Sequence, residues 1–281
     1  MTKQVAIISG AGKGLGRAYA LELAQRGIRV VVNNRTHADQ PSSAEAVVNE
    51  IKAFGGDAIA HHGAADHAEC GMDLVQAALS NWGRLDIVVA NAGFDRPQSF
   101  HNQSLDDFDA IMETNFAGTA RLLHSAWPVL REANYGRIVV STSTAGLFGN
   151  HGQAAYAASK AALIGLIRSL HLEIGRRDIT INAIAPYAHT PLTDPWFNDE
   201  WAHVFTAQSV AQFLCHLVAQ DCATSGRTFI AGGGHVREAR TLETPALPVS
   251  ANDSPFAELT GLDAQLQPNS ASEEFARFLT Q

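Results

Sequence analysis

The run Val5-Ala6-Ile7-Ile8-Ser9-Gly10-Ala11-Gly12-Lys13-Gly14-Leu15-Gly16 lies near the amino terminus of a chain of 281 residues. Its first four residues are apolar without interruption, which predicts a strand buried on both faces of a sheet. Residues 17–24 follow with helical periodicity and stop before Gly27. Strand, glycine-rich turn and helix in this order predict a dinucleotide site, because the backbone can approach a pyrophosphate and the helix terminus offers it free N–H groups.

The composition limits the class of protein. Charged residues make up 17% of the chain and hydrophobic residues 46%, so it can bury a large core within one α/β domain with an appendage. The net charge is −8 and no basic block is present, so we expect no nucleic-acid partner. No apolar run is long enough for a membrane span.

The cysteines and histidines favour a cytoplasmic, metal-free protein. Cys70, Cys215 and Cys222 have neither metal-ligand nor redox spacing, and they suit a reducing compartment. The first strand begins so close to Met1 that we expect no signal peptide. The 12 histidines are scattered, without paired spacing and carboxylate support, so we expect no metal site.

The end of the second predicted strand, Val30-Val31-Val32, bears on the choice of cofactor. In a dinucleotide fold an acidic residue at this place binds the adenosine ribose of NAD. Here the place is taken by Asn34, Arg35 follows it, and Lys13 adds a second cation. This pattern favours a 2′-phosphate and therefore NADP(H). If both cations are only solvated surface charges, NAD(H) is the alternative.

A pair of residues at helical spacing predicts acid/base chemistry. Tyr156 and Lys160 lie in an apolar segment with helical periodicity, and positions i and i+4 share one helix face. A nearby ammonium group stabilises a phenolate, so we expect Lys160 to lower the pKa of Tyr156. The alternative is an ordinary amphipathic helix in which the two residues coincide by chance. Upstream, a β-branched strand ends near Ser143, whose hydroxyl could donate a hydrogen bond to a substrate oxygen.

Together these motifs resemble the classical short-chain dehydrogenase/reductase family, over residues 3–235. The resemblance rests on Gly10, Gly14, Gly16, Asn115, Ser143, Tyr156 and Lys160. It implies four catalytic residues, which are Asn115, Ser143, Tyr156 and Lys160. It also implies a cofactor site formed by Gly10, Gly12, Lys13, Gly14, Leu15, Gly16, Asn34, Arg35, Asn91, Ala92, Gly93, Tyr156, Lys160, Pro186 and Thr190.

The resemblance also implies a role for each catalytic residue. Tyr156 exchanges the hydroxyl proton, Lys160 holds the nicotinamide ribose, Ser143 polarises the substrate oxygen, and Asn115 keeps a proton relay in place. For Asn115 the alternative is a polar residue that merely bends its helix. The chain departs from the family where Ala90 replaces an Asn, where Tyr187 replaces a Gly, and where Asp66 lies two residues beyond the expected adenine contact.

The expected fold is α/β, a Rossmann-type doubly wound parallel sheet of about seven strands with helices on both faces. Helices are predicted near residues 42–54, 66–82 and 105–131. Residues 1–235 form the predicted dinucleotide-binding domain. Residues 236–281 form a Pro-rich extension (Pro245, Pro248, Pro255, Pro268) with a short helix near 272–279. An aromatic stretch, Pro191, Pro195, Trp196, Phe197 and Trp201, is predicted to be a loop that walls a substrate pocket.

Several runs also resemble the hydroxyacyl-CoA dehydrogenase domain of peroxisomal multifunctional enzyme type 2, among them residues 14–21 and 149–153. The expected activity is hydride transfer between a nicotinamide and a secondary alcohol or ketone, with a 3-hydroxyacyl or 3-ketoacyl thioester as the leading substrate. The alternatives are another ketone, such as a steroid, sugar or cyclic alcohol, and a cofactor-binding regulator without turnover. We expect a homodimer or homotetramer, because Leu122, Leu123, Leu163 and Leu166 make two helices apolar over much of their girth.

Overall fold

A computed structural model describes residues 3–36, 40–194, 198–247 and 263 of the chain. Its strands are β1 (Val5–Ile8), β2 (Arg29–Asn33), β3 (Ala58–His61), β4 (Ile87–Ala90), β5 (Tyr135–Ser141), β6 (Asp178–Pro186), β7 (Thr228–Gly232) and β8 (His235–Ala239). Its helices are α1 (Gly14–Gln25), α2 (Ser43–Ala53), α3 (Cys70–Trp82), α4 (Leu105–Met112), α5 (Gly118–Glu132), α6 (Thr144–Phe148), α7 (Ala154–Glu173), α8 (Asp199–Val204) and α9 (Ala207–Leu217).

One sheet runs through the described part of the chain in the order β3-β2-β1-β4-β5-β6-β7-β8. The strands from β3 to β7 pair in parallel. The order reverses direction between β1 and β4, and ligands bind at such a point in doubly wound sheets. The predicted doubly wound α/β fold is confirmed.

The eighth strand is a correction to the predicted count of about seven. The predicted Pro-rich extension begins at residue 236, whereas residues 236–239 belong to β8. Gly233 and Gly234 form the connection from β7, and both have positive φ values, 58° and 75°. Two such residues form the tight turn of a β-hairpin, so β8 folds back along the edge strand.

The sequence of β1 explains why helices cover both faces. Ala6 and Ile8 point into one core, together with apolar residues of α1, α2 and α9. Val5 and Ile7 point into the other core, with residues of α3, α5 and α7. All four β1 side chains are fully buried, because alternate residues of a strand face opposite sides of the sheet.

The long helix predicted over residues 105–131 is in fact three consecutive segments. Between α4 and α5 lies a π-helical turn, Glu113–Ala117, which is one residue wider than an α-helical turn. The three segments continue into one another, but the π turn changes which side chains face the sheet. Asn115 lies in the middle of this turn and is fully buried.

The chain divides into two compact units, residues 1–238 and 239–281. Most of the second unit lies outside the described residues, including Pro248, Pro255, Pro268 and the helix predicted near 272–279. The proposed extension therefore stays a prediction. Among the helices that the structure describes, none is both long and apolar enough to cross a membrane.

Candidate active site

The carboxyl ends of β1 and β4 meet where the strand order reverses. The Ser9 hydroxyl accepts hydrogen bonds from the backbone N–H groups of Asn91 (3.0 Å) and Ala92 (3.1 Å). The Asn91 amide donates to the carbonyls of Ser9 and Gly10 and accepts from the Ser141 hydroxyl. Asn91 therefore links the ends of β1, β4 and β5.

A cleft of about 470 Å³ opens at this junction. It contains most of the predicted cofactor residues, namely Gly10, Lys13, Gly14, Leu15, Asn34, Arg35, Asn91, Ala92, Gly93 and Thr190. Gly12 and Gly16 do not line the cleft. Their lack of a side chain lets neighbouring atoms of the protein pack closely against them. A Cβ on Gly12 would lie 2.3 Å from the Ser43 Oγ, and one on Gly16 would lie 2.2 Å from the Gly10 carbonyl oxygen.

The glycine turn and α1 fit the diphosphate of a dinucleotide. Gly10 has φ 63° and Gly14 has φ 55°, values that a side chain disfavours. A Cβ on Gly10 would lie 2.7 Å from the Ala92 Cα, so only glycine fits between the two strand ends. Lys13 precedes α1, whose first turn has neither a side-chain cap nor an acidic residue. The first N–H groups of α1 are therefore available to an anion in the cleft.

The end of β2 borders the same cleft and carries no carboxylate. Asn34 donates to the Ser43 hydroxyl at 2.7 Å, which joins β2 to the first residue of α2. Arg35 is exposed and lines the cleft, as does Lys13 across from it. Within the described ranges neither cation is paired with an acidic side chain, so both charges can serve a bound anion.

The side of the cleft opposite Arg35 is where the sequence departs from the family's adenine contact, and the structure shows which residues lie there. Asp66 lines the cleft with Ala65 and Thr114, and its carboxylate accepts from the Thr114 hydroxyl at 3.3 Å. Asn33 forms part of the lining and donates to the Gly63 carbonyl at 2.8 Å. The family spacing drew attention to residue 64, whereas the first turn after β3 brings Asp66 to the cleft.

Ser143, Tyr156 and Lys160 lie together beyond the end of β5. The Ser143 hydroxyl accepts from the Ala145 N–H at 3.1 Å and lies near enough to the Tyr156 phenol to lower its pKa. The Lys160 Nζ lies 5.6 Å from the centre of the Tyr156 ring. It donates to the Ser141 carbonyl at 2.8 Å and is almost fully buried. The structure thus brings the predicted catalytic serine, tyrosine and lysine into one group.

The expected lowering of the Tyr156 pKa by Lys160 is wrong for this structure. Desolvation raises the pKa of Tyr156 to about 12, and the hydrogen bond from Ser143 offsets only part of this rise. The negative charge of Asp95 raises the pKa further. Burial also lowers the pKa of Lys160, to about 8. Desolvation therefore outweighs the helix-face pairing that the sequence suggested.

Asn115 connects the cleft to α7. Its side chain accepts from the Phe94 N–H at 2.9 Å, donates to the Phe94 carbonyl at 3.0 Å, and donates to the Ser159 hydroxyl at 3.1 Å. A Cβ on Gly93 would lie 3.0 Å from the Asn115 Oδ1 and 3.3 Å from the Lys160 Nζ. Asn115 therefore holds the β4 loop against the lysine, while its part in a proton relay stays a prediction.

The segment after β6 closes one side of the cleft. Thr190 lies 3.3 Å from the position that a Cβ on Gly14 would occupy, and Pro191 and Leu192 line the cleft beside it. Pro186 ends β6 outside the lining. Part of the stretch predicted as a loop is helical, since α8 contains Trp201, whose ring centroid lies 5.9 Å from that of Phe205. Pro195, Trp196 and Phe197 lie outside the described residues.

A cleft at the strand-order reversal, with a buried lysine, a tyrosine and a serine beside it, is the arrangement expected of an oxidoreductase that uses a nicotinamide cofactor. The chain belongs to the short-chain dehydrogenase family, whose sequence model matches residues 4–201. No group of metal-ligating side chains occurs among the residues that the structure describes.

Three relatives illustrate the range of the family. A protein of Mycobacterium tuberculosis named as a short-chain type dehydrogenase/reductase is 39% identical, covering 83% of this chain and 84% of its own length. Mouse peroxisomal multifunctional enzyme type 2 is 35% identical over 90% of this chain, which spans only 35% of that enzyme. A 3-oxoacyl-[acyl-carrier-protein] reductase of Synechocystis is 37% identical, covering 69% of this chain and 78% of its own.

A solved structure agrees with these relatives. The crystal structure of a short chain dehydrogenase from Mycobacterium avium superposes with a TM-score of 0.82 at 32% identity, covering 95% of this chain and 97% of that one. The resemblance to peroxisomal multifunctional enzyme type 2 that was drawn from short sequence runs is confirmed by the mouse relative.

Proposed function

We propose that this protein transfers a hydride between a nicotinamide cofactor and a secondary alcohol or ketone, with a 3-hydroxyacyl or 3-ketoacyl thioester as the leading substrate. The observation that carries the proposal is the group formed by Ser143, Tyr156 and Lys160 next to the cleft at the strand-order reversal. A regulator that only binds a cofactor needs the glycine turn but has no need for this buried group.

The cofactor fits the cleft through three features of this chain. The first turn of α1 offers unpaired N–H groups, the positive-φ glycines allow close approach, and Lys13 and Arg35 supply positive charge. When bound, the nicotinamide would supply or accept the hydride. Gly93 lines the cleft, and a Cβ on it would lie 3.3 Å from the Lys160 Nζ. The ammonium group of Lys160 is therefore close enough to the cleft to bind a ribose hydroxyl of the cofactor.

The side chains then divide the remaining chemistry. Tyr156 donates a proton to the substrate oxygen in reduction and accepts it in oxidation. Ser143 acts on the Tyr156 phenol strongly enough to lower its pKa, so its hydroxyl is placed to polarise the same substrate oxygen. Desolvation raises the pKa of Tyr156, so at neutral pH the phenol carries the proton that it would donate to a substrate oxygen.

The substrate class rests on the relatives and on the residues near the cleft. One relative is named for the reduction of 3-oxoacyl groups on acyl carrier protein, and another is a peroxisomal multifunctional enzyme. Pro191 and Leu192 give the described edge of the cleft an apolar character. An apolar ketone carried on a thioester is consistent with these features, whereas a small sugar would need more polar partners.

A substrate panel and one variant test this proposal. Purified protein with NADPH is assayed on short and long 3-ketoacyl-CoA esters, cyclic ketones, steroids and sugars. We expect the thioesters to give the highest rates. If a sugar is turned over and the thioesters are not, the proposed substrate class is wrong and only the general assignment as a dehydrogenase remains.

Tyr156→Phe should lower turnover about 10²–10⁴-fold, because it removes the proton donor without changing the shape of the site. Cofactor binding and the circular-dichroism spectrum should stay nearly unchanged. Tyr135→Phe is the matched control, since that phenol lies at the start of β5 and bonds to Gln4. Full activity in the Tyr156 variant would remove this residue from the mechanism.

We further propose that NADP(H) is preferred over NAD(H). No carboxylate occupies the end of β2, and Arg35 and Lys13 face the cleft without an acidic partner among the described residues. Arg35→Ala should weaken NADPH binding about 10-fold and leave NADH binding nearly unchanged, because a lost charged hydrogen bond costs about that much.

Fluorescence or calorimetric titration of both cofactors measures this preference. Arg29→Ala is the control, because Arg29 lies at the opposite end of β2 and pairs with Asp57. If the parent protein binds both cofactors with equal affinity, or if Arg35→Ala weakens the binding of both equally, the preference for NADP(H) is contradicted. Arg35 and Lys13 would then be only surface charges.

A further inference from the structure

A large aromatic side chain follows the carboxyl end of β6, on the strand next to the one that leads to Ser143. The strands β5 and β6 pair in parallel register as far as Ser141 and Ile184. The backbone at Ser143 is still extended, with φ −156° and ψ 154°. The same register therefore brings Ser143 level with Pro186, and Tyr187 is the next residue. Because neighbouring strands lie about 4.8 Å apart, Tyr187 is close to the catalytic serine.

Tyr187 lies on the side of the site where a substrate, and not the cofactor, would bind. Among the described residues, those that line the cofactor cleft include none of Ser143, Tyr156 and Tyr187. The segment after β6 reaches the cleft farther along the chain, at Thr190. The Tyr187 side chain is 45% exposed, so much of its surface is free to contact a ketone held by Ser143 and Tyr156.

Other aromatic rings support Tyr187 from one side. The Phe205 ring meets the Tyr187 ring edge to face, with centroids 6.3 Å apart and planes inclined by 75°. Trp201 packs against Phe205 in turn, with centroids 5.9 Å apart. The His189 N–H donates to the Phe205 carbonyl at 2.7 Å, which ties Phe205 to the segment that carries Tyr187. This arrangement is a favourable geometry for aromatic pairs, and it limits the movement of the Tyr187 ring.

The turn between β7 and β8 holds the backbone of Tyr187 in place. The Tyr187 N–H donates to the Ala231 carbonyl at 2.8 Å. A Cβ on Gly232 would lie 2.7 Å from the Tyr187 Cβ, and one on Gly233 would lie 3.1 Å from the Phe205 ring. Tyr187 and Phe205 thus pack directly on this turn and cannot move toward it. Tyr187 is therefore a rigid wall beside the catalytic group.

We propose that Tyr187 is a specificity-determining residue, which fills the space beside the reacting carbon and excludes ketones that are branched or cyclic at the carbon next to the carbonyl. This inference rests on the proposed function, because it needs a ketone held by Ser143 and Tyr156. Tyr187 replaces the glycine of the family, so its ring fills a volume that glycine leaves open. An unbranched 3-ketoacyl thioester has a CH₂ group beside its ketone and fits there, whereas a steroid or a cyclic ketone would clash with the ring.

Two thioesters that differ by one methyl group test this wall. Acetoacetyl-CoA and 2-methylacetoacetyl-CoA have the same ketone and the same carrier, and the second is branched next to the ketone. With the reduced cofactor, the parent should prefer the unbranched ester in kcat/KM. Tyr187→Gly should reduce this preference about 10-fold or more, because one methyl group in a tight apolar site is worth about 10–200-fold. Tyr187→Ala is the second variant should the glycine fail to fold.

Three further variants separate the wall from a general effect on stability. Tyr187→Phe keeps the ring and should keep the preference of the parent. Phe205→Ala removes the ring that supports Tyr187 and should give an intermediate preference. Phe213→Ala is the matched control, because Phe213 forms a similar edge-to-face pair with Phe229, at 5.4 Å and 70°, against the core beside α9. It should lower the melting temperature and keep the preference.

Two outcomes of the rate measurements would overturn the inference. One is a parent that reduces both esters equally well. The other is a Tyr187→Gly or Tyr187→Ala variant that melts cooperatively and still has the preference of the parent.

A binding measurement separates this inference from the proposed function. Protein saturated with its preferred oxidised cofactor cannot reduce a ketone, so calorimetry can measure the Kd of both thioesters in a dead-end complex. Tyr187→Gly should reduce the ratio of the two Kd values about 10-fold. If the parent turns over no ketone but this ratio changes as expected, only the proposed function is contradicted. An active parent whose ratio does not change contradicts only the inference, and a parent that binds neither thioester contradicts both.

Discussion

Lys160 shows how a single functional residue can lower the stability of the fold. Its ammonium group is almost fully buried, and burial lowers its pKa from 10.5 to about 8. Below pH 8 both the folded and unfolded chains hold this proton, so the folded chain bears the full cost of a buried cation. Between about pH 8 and 10.5 the folded chain releases the proton while the unfolded chain keeps it, so the cost declines.

Lys160→Met should therefore be more stable than the parent at pH 7, by about 1 kcal/mol, while losing turnover. This figure is the free energy gained by no longer burying the ammonium group, minus the free energy lost when the Ser141 carbonyl loses its hydrogen-bond donor. The gain should shrink as the pH rises from 8 to 10. Urea unfolding at several pH values measures it, with the exposed Lys52→Met as control. A gain that is independent of pH would contradict this account.

The residues of the candidate site could be predicted to different extents. Tyr156 and Lys160 share a helix face through their spacing alone, and the structure brings them together with Ser143. The direction of the Tyr156 pKa shift could not be predicted, because desolvation depends on the elements packed around the phenol. Phe205 was overlooked for a similar reason, since its contact with the Tyr187 ring joins two segments that are separate in the sequence.

At the scale of elements, α3 and α5 pack with almost no space between their backbones. A Cβ on Gly71 of α3 would lie 2.8 Å from the Cα and the N of Leu122 in α5. Alanine favours a helix over glycine by about 1 kcal/mol, but such a backbone clash costs about 1–3 kcal/mol. Because Leu122 is itself buried, the helices can separate only by disturbing the core.

Gly71→Ala should therefore destabilise the protein by about 1–2 kcal/mol. Gly165→Ala is the matched control, because Gly165 also lies in a helix and a Cβ there would meet no atom within 4 Å. That variant should be neutral or slightly stabilised. Chemical unfolding of both variants gives the comparison, and equal free energies of unfolding would show that α3 can shift freely.

The elements also show where sequence patterns are informative. The apolar run of β1 and the periodicity of α7 were sufficient, because burial on both faces and a single helix face leave clear patterns. The π turn at Glu113–Ala117 produces no clear pattern in the sequence, because one extra residue in a turn hardly changes the spacing of apolar and polar residues. The β7–β8 hairpin could have been predicted from Gly233-Gly234, which is a recognised signal for a tight turn.

For the molecule as a whole, we still predict a homodimer or homotetramer, but on different residues. Leu122, Leu123 and Leu163 are buried in the monomer core and Leu166 packs against it, so these four leucines do not support an interface. Other large apolar side chains are exposed instead, among them Phe100 (68%), Leu105 (75%) and Phe148 (74%). A second copy of the chain would cover these side chains, and symmetric homo-oligomers are common.

Light scattering at micromolar concentration should give at least twice the monomer mass of 30.0 kDa. Phe148→Glu should shift the protein toward monomer, because it places a charge on the predicted interface. Phe54→Glu is the control, since Phe54 lies at the end of α2 in the opposite helix layer. A parent protein that scatters as a monomer would contradict the prediction.

The central place of β1 in the sheet has a consequence for how the chain folds. Val5–Ile8 pairs with β2 on one side and with β4 on the other, so Ala6 lies opposite Ile87. During synthesis the first strand leaves the ribosome long before its second neighbour exists, and it must wait with an apolar edge unpaired. Such delayed, long-range parallel pairing is slow and prone to aggregation. Chaperone dependence and low yields on refolding would follow from this early strand, because both halves of the sheet pair with it.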